Sequence, residues 1–255
     1  MRKLTAIVLS LSALLITPIT PSQAQSFPDL AVQGIRLVES QNFTEAESIL
    51  RQALTKVDDD ERFLAFKGDV LFALSRAVDY QGEHIEAEIF AKQAIQENPN
   101  SAQYRCRLST ALTNQGKDME AESSYRDALG IDAGFENAIY GLGKLLEKRK
   151  AFLEAEVLYV KGSLANPKSS NIPAWHGEFL MNQNRLREAE FTLLKSLARN
   201  SKNEYSLLLL GLIYENKGDL DGAQKLYLNG LKGNPNSSHL QSALSRVTSE
   251  GGNFN

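Results

Sequence analysis

Between Glu204 and Ser237 the apolar residues fall at helical spacing twice, with one break between the two runs. Leu207, Leu210, Gly211 and Tyr214 share a face of a first helix, which stops at Gly218, the residue type that most easily takes the left-handed turn closing a helix. Leu220, Ala223, Tyr227 and Leu231 share a face of a second helix, and Pro235 stands where a further helix cannot run through it. Gly211 and Ala223 are small where the two helices meet, which lets the backbones approach to about 8 to 10 Å. The stretch reads as a hairpin of two helices, A and then B.

The same pattern recurs upstream without slipping. Ala87, Ala121, Ala155, Ala189 and Ala223, on the B helices, lie 34 residues apart each time. The small A-helix position is Ser75, Ser109, Gly143, Gly177 and Gly211 in turn. Gly82, Gly116 and Gly218 close three A helices, with Lys150 and Asn184 at the other two corners, and the exits carry Pro99, Ala133, Pro167, Ser201 and Pro235. A weaker copy centres on Gly34 and Ala46. From Ala46 to Ala87 is 41 residues, and the surplus ERFLAFK of 61–67 follows Asp58, Asp59 and Asp60. Acidic residues favour a helix N-terminus, so the surplus reads as an extended A helix starting near Glu61. Beyond the last copy, Leu240, Ala243, Leu244 and Val247 at i, i+3, i+4 and i+7 predict a capping helix over about 239–249, with 250–255 as a disordered tail.

A 34-residue unit with Leu-Gly, Tyr, Gly, Ala, Tyr and Pro at these offsets resembles the tetratricopeptide repeat (TPR). The resemblance implies an all-α fold, an α-solenoid of about six TPR helix pairs in a right-handed superhelix whose A helices line a concave groove. Its repeats run over about 27–60, 68–101, 102–135, 136–169, 170–203 and 204–237, within a TPR domain of 25–249.

Composition narrows the setting. With 255 residues, 42% hydrophobic and 23% charged, the chain has the make-up of a folded protein. Its start, MRKLTAIVLSLSALLITPITPSQA, puts Arg2 and Lys3 before an apolar run broken by Pro18, then small Ser22 and Ala24 where a signal peptidase reads. This predicts a signal peptide over 1–24, and Pro18 and Pro21 leave the run short of the roughly 20 residues a membrane span needs. No cysteine stands directly after the run to take a lipid, and no later apolar stretch is long enough for a span, so the exported protein is expected to have no stable membrane insertion. Without Arg2 and Lys3 the formal charge moves from -3 to -5, an acidic balance that disfavours nucleic acid as a partner. Cys106 is the one cysteine, so no internal disulfide can form, and it reads as a small apolar side chain on a helix.

No set of residues for catalysis is assembled along the chain. His84-Ile85-Glu86 has the deaminase H-x-E spacing without the later cysteine pair that site needs, and Gly141-Leu142-Gly143-Lys144 lies inside a helix rather than a phosphate loop. The carboxylate pairs around the recurring alanines, Glu86/Glu88, Glu120/Glu122, Glu154/Glu156 and Glu188/Glu190, sit two apart on helices and read as solvated faces. The chain is therefore read as no enzyme and as needing no cofactor and no metal. The alternative is an enzyme or metal carrier whose site is scattered between repeats, with His84, His176, Asp79 and Glu178 as its raw material.

The TPR register assigns groove-facing positions on the A helices: Phe72, Arg76, Asp79 and Tyr80; then Gln103, Cys106, Arg107, Thr110 and Asn114; then Asn137, Tyr140, Lys144 and Lys148. Asn171, Trp175, Glu178, Met181 and Asn182 follow, and last Tyr205, Leu208, Leu209 and Leu212. The resemblance further suggests that Arg76, Arg107 and Lys144 could grip a peptide carboxylate, although the asparagines of that family clamp are not at matching offsets. Trp175 stands two positions after the family's tryptophan site, which Pro173 occupies, so either its ring turns toward the groove or the A helix of that repeat begins in a shifted frame, and the groove reading is preferred. The expected function is an exported, non-enzymatic scaffold that binds a protein or peptide, periplasmic or secreted, in cell-envelope assembly or maturation such as polysaccharide export or pilus assembly. N-terminal sequencing of the exported protein should begin at Gln25; an intact Met1 in a membrane fraction would make residues 1–24 an anchor instead.

Overall fold

Thirteen helices and no strand make up the described residues of the computed structural model, which are 26–56 and 61–251. The expected signal peptide, the link at 57–60 and the tail from 252 lie outside them. The helices pair as α1 (Phe27–Glu39) with α2 (Phe43–Thr55), α3 (Glu61–Tyr80) with α4 (His84–Glu97), and α5 (Ala102–Asn114) with α6 (Asp118–Ile131). Then come α7 (Glu136–Lys148) with α8 (Phe152–Ala165), α9 (Asn171–Asn182) with α10 (Leu186–Arg199), α11 (Glu204–Asn216) with α12 (Leu220–Gly233), and α13 (Ser238–Gly251). This is an all-α repeat fold. It divides after Ile131 into two compact units, α1 to α6 and α7 to α13. Within each unit a helix packs on its successor and, along the A helices, on the next A helix.

The corners obey backbone sterics. Gly82, Gly116 and Gly218 have φ of 89°, 75° and 78°. Lys150 and Asn184 adopt the same left-handed region at 61° and 57°, and Gln41 does so at 64°. The hairpin thus imposes this conformation even where the residue has a Cβ, at a local cost that the packed helices on either side offset. α3 begins at Glu61, giving the extended A helix that the acidic run points to. α9 starts at Asn171 with Pro173 in its first turn, where the missing N–H has no helical partner to lose. α13 reaches Gly251, further than the sequence pattern suggests, and buries Leu240, Ala243 and Val247 beside Ala223 and Tyr227.

Contact between A and B is set by one pair of positions. A Cβ added to Gly34, Gly143, Gly177 or Gly211 would overlap Leu50, Tyr159, Leu193 or Tyr227 on the facing B helix. In α3 the small residue is Ser75, whose Oγ donates to the Ala87 carbonyl at 2.7 Å and so joins the two helices by a hydrogen bond. The tyrosines reach past the glycine: Tyr159 Oη donates to Glu147 Oε1 at 2.8 Å, and Tyr227 Oη donates to Glu215 in the same way.

The carboxylate pairs are not uniformly solvated, which corrects the sequence reading. The second member of three of them crosses to the next repeat: Glu88 accepts from Gln115 at 2.9 Å and Lys117 at 2.8 Å, Glu156 from Arg185 at 2.6 and 2.9 Å, and Glu190 from Lys217. Two residues apart on a helix, the side chains point in different directions, so the second member reaches the following corner while the first meets other partners, as Glu86 meets Arg51 and Glu188 meets Arg185. Glu120, Glu154 and Glu188 are the exposed members.

Gly211→Ala should destabilise the fold by about 1 to 3 kcal/mol, because the methyl group enters the Tyr227 ring. Gly130, helical in α6 with open space around its Cβ position, is the internal control. Gly130→Ala should be neutral or stabilising by up to about 1 kcal/mol. Urea denaturation of both variants gives the ranking, and the reverse order would show that the A and B faces are wrongly assigned.

Candidate functional site

The A-helix face of the first unit is organised by a buried carboxylate. Asp79, near the C-terminal end of α3, is 8% exposed. It accepts from Arg107 Nη2 of α5 and from Asn114 Nδ2 at 2.9 and 3.1 Å, and His84 Nδ1 lies 2.7 Å from its Oδ1. Burial alone would raise the Asp79 pKa, but the Arg107 charge and the hydrogen bonds from His84, Asn114 and Arg107 outweigh it and hold the group below its ordinary value. Arg107 is itself 8% exposed. It is the counter-ion of Asp79 rather than a free basic point, which corrects its expected place in a carboxylate grip.

Phe72 is corrected likewise: it is buried and packs on Tyr104 at 5.7 Å between centroids, so it belongs to the core. Cys106 is buried, and burial pushes its thiol up to about 12, in keeping with a packing role. Arg76 is half-buried and stays partly accessible. It lies over the Phe72 ring at 6.0 Å, and burial first, with the nearby Arg107 charge, lowers its pKa. Tyr80 is 64% exposed and stacks flat on Phe43, with centroids 4.4 Å apart and planes at 7°.

In the second unit the A face is aromatic. Tyr140 of α7 meets Trp175 of α9 at 5.0 Å, and Tyr205 of α11 follows; Tyr140 and Tyr205 are 42% and 38% exposed. Lys144 Nζ donates to Glu178 Oε2 at 2.7 Å and lies 5.8 Å over the Tyr140 ring. Partial burial opposes the Lys144 charge, yet Glu178 wins and raises its pKa. Burial and then the hydrogen bond to Glu178 raise that of Tyr205. Lys144, Glu178, Tyr140, Trp175 and Tyr205 thus form one connected ledge across three successive A helices. Met181 and Leu212 are half-buried on the same helices, whereas Leu209 is buried and Leu208 packs against the cluster of Tyr227 and Leu240. Those two leucines serve the core, a correction to the groove assignment.

His176 belongs to the packing. It stacks on Tyr159 at 5.8 Å and lies beside Phe179, and desolvation lowers its pKa. Asp79 and His84 do come together, but their contacts are the ion pair and hydrogen bonds just described. Among the described residues no group of three His, Cys, Asp or Glu side chains is placed to hold a metal ion. Sequence reading missed the pairing itself. Asp79 with Asn114, and Lys144 with Glu178, are 35 and 34 residues apart, so complementary groups at matching register positions on successive A helices carried the signal.

A helical-repeat protein with a built, partly exposed A-helix face is the class these features define. The tetratricopeptide repeat model matches residues 206–237, the hairpin of α11 and α12. A TPR protein of Thermus thermophilus aligns with a TM-score of 0.56 at 17% identity, covering 71% of this chain and 98% of that one. PilW, a widely conserved type IV pilus biogenesis factor, aligns at 0.63 and 19%, over 87% of this chain and 100% of its own. The pilF protein of Pseudomonas aeruginosa aligns at 0.61 and 18%, over 86% and 97%. At such identities the likeness is one of fold. No curated protein sequence matches. The chain is a tetratricopeptide-type repeat protein in fold.

Glu88 supplies a pH test of the ties between repeats. Its side chain is 10% exposed, and although burial opposes the charge, hydrogen bonds from Lys117, Lys92 and Gln115 bring its pKa down to about 2 from 4.5. The unfolded chain therefore takes up this proton near 4.5 while the folded chain resists until about 2, so stability present above that window is lost as pH falls through it. Urea denaturation should show native protein ahead of Glu88→Gln at neutral pH, with the gap closing toward pH about 3. A gap of equal size at both pH values would mean that the hydrogen bonds do not depend on the charge.

Proposed function

We propose that this protein is an exported, non-enzymatic TPR adaptor that binds a protein or peptide segment on the A-helix faces and acts in the assembly or maturation of a cell-envelope structure. The observation that carries the reading is the ledge of Tyr140, Trp175 and Tyr205 with the Lys144 and Glu178 pair set into it. Partly exposed aromatics held on rigid helices give a partner large contact area at small entropic cost, and hot spots concentrate on Trp, Tyr and Arg. In the first unit Arg76, with Tyr80, offers a partly desolvated guanidinium suited to a carboxylate. Export rests on the pattern of residues 1–24. A role in the envelope is supported by the fold shared with PilW and pilF, and on this reading the mature protein acts in the periplasm or outside the cell.

The test is capture from the envelope fraction with a photo-cross-linker at Tyr205, and a second one at Lys225 on a B helix as control. A partner should be joined from Tyr205 and not from Lys225. Trp175→Ala and Tyr140→Ala should weaken its binding by at least about tenfold, close to 1.4 kcal/mol, with the melting temperature nearly unchanged. Arg76→Glu should weaken it more at low salt than at high salt. Partner retention by the doubly substituted Tyr140/Trp175 variant would overturn the assignment of this ledge.

A further inference from the structure

The ledge on α7, α9 and α11 carries more negative charge than it neutralises. Glu178 of α9 accepts from Lys144 Nζ at 2.7 Å and from the Tyr205 hydroxyl. Glu147, one turn after Lys144 on α7, accepts from Tyr159 Oη at 2.8 Å and lies 3.7 Å from the same ammonium. One ammonium thus serves two carboxylates, and the group keeps one formal negative charge. The tyrosines register it: after burial, Glu147 and Glu178 both raise the pKa of Tyr159, and both raise that of Tyr205. Glu136, one turn before Tyr140 on the same face of α7, is bonded to the neutral amide of Asn171 at 2.9 Å. Carboxylates therefore stand one turn before Tyr140 and two turns after it.

The chain also shows what such a surface holds. Lys144 sets its ammonium 5.8 Å over the Tyr140 ring while donating to Glu178, an arrangement in which a ring face and a carboxylate attract the same cation. Tyr140 and Tyr205, at 42% and 38% exposure, still present ring surface beside it. Trp175, half-buried and 5.0 Å from Tyr140, has the indole, the ring that attracts cations best. We propose that the ledge takes a basic segment of a protein partner, with arginine or lysine side chains laid across Trp175, Tyr140 and Tyr205 and their charge directed at Glu178 and Glu147. This rests on the ledge being the partner-binding face, and it adds the sign of the partner. An acidic segment would meet the surplus negative charge, and a purely apolar one would cover carboxylates without replacing their water. Arginine suits the site best, because its planar guanidinium stacks on rings while its edge donates to a carboxylate.

Randomised heptapeptides displayed on phage, depleted on Trp175→Ala and then selected on the native protein, test this. Survivors should be rich in arginine and lysine and poor in aspartate and glutamate. Trp175 is the chain's one tryptophan, so its fluorescence reports binding of the most enriched peptide at the ledge itself. Glu178→Gln should weaken that peptide about tenfold, whereas Lys144→Met, which frees both carboxylates and keeps the apolar stem, should tighten it about tenfold. A structural role alone would make both substitutions weaken binding. Replacing the peptide's basic residues by glutamine should abolish the signal, and raising salt should lower the native affinity. Survivors that need Trp175 but are acidic or uncharged overturn the proposal and leave the ledge a peptide site. Equal affinity of the native, Glu178→Gln and Lys144→Met proteins overturns it too. Absence of any survivor that needs Trp175 removes the ledge as a peptide-binding face, and the proposal with it.

Discussion

Four of the six hairpins turn on one steric agreement: a glycine on the A helix faces a large side chain on the B helix. Gly143 with Tyr159 and Gly211 with Tyr227 show it most fully, because a Cβ at either glycine would occupy the ring. The tyrosine then reaches across the A helix to a glutamate, Glu147 or Glu215, so the close approach that buries the ring also satisfies its hydroxyl. Leucine at the same B-helix place, as in Leu50 and Leu193, keeps the steric fit and gives up the hydrogen bond. Where α3 has Ser75 instead of glycine, the hydroxyl makes its own bond to the B helix. Packing density here leaves little freedom, since a methyl group too many must displace a neighbour.

Between hairpins the charged residues do much of the joining. Glu88, Glu156 and Glu190 bridge to the next corner, while Asp79 with Arg107 and Lys144 with Glu178 bridge successive A helices. The exposed pairs are individually weak, but Asp79 with Arg107 is buried, and removal of either partner would strand a charge. This decides which A-face residues remain at least partly accessible. Arg107 is consumed by the fold, whereas Arg76, Tyr140, Trp175 and Tyr205 stay accessible on elements that such bonds hold still. Preorganisation of that kind reduces the ordering cost of binding.

Much of this was determined by the sequence. The period of the alanines, the glycines at the corners and the apolar spacing set the helices to within a residue or two, because helix periodicity and the left-handed turn are local properties of the backbone. The start of α3 at Glu61 was legible for the same reason. Which charged and aromatic side chains remain exposed was decided only by the tertiary structure. Arg107, Phe72 and Leu208 occupy positions that the register assigns to an open face, yet one meets a buried carboxylate and the others meet the core. The two glutamates of each bridging pair look identical in sequence, yet Glu88, Glu156 and Glu190 meet a lysine, arginine or glutamine from 27 to 29 residues later, whereas Glu86 meets Arg51 of the preceding repeat. Spacing along one helix fixes the direction of a side chain, whereas what it meets there depends on another helix, and that is a property of the packed chain alone.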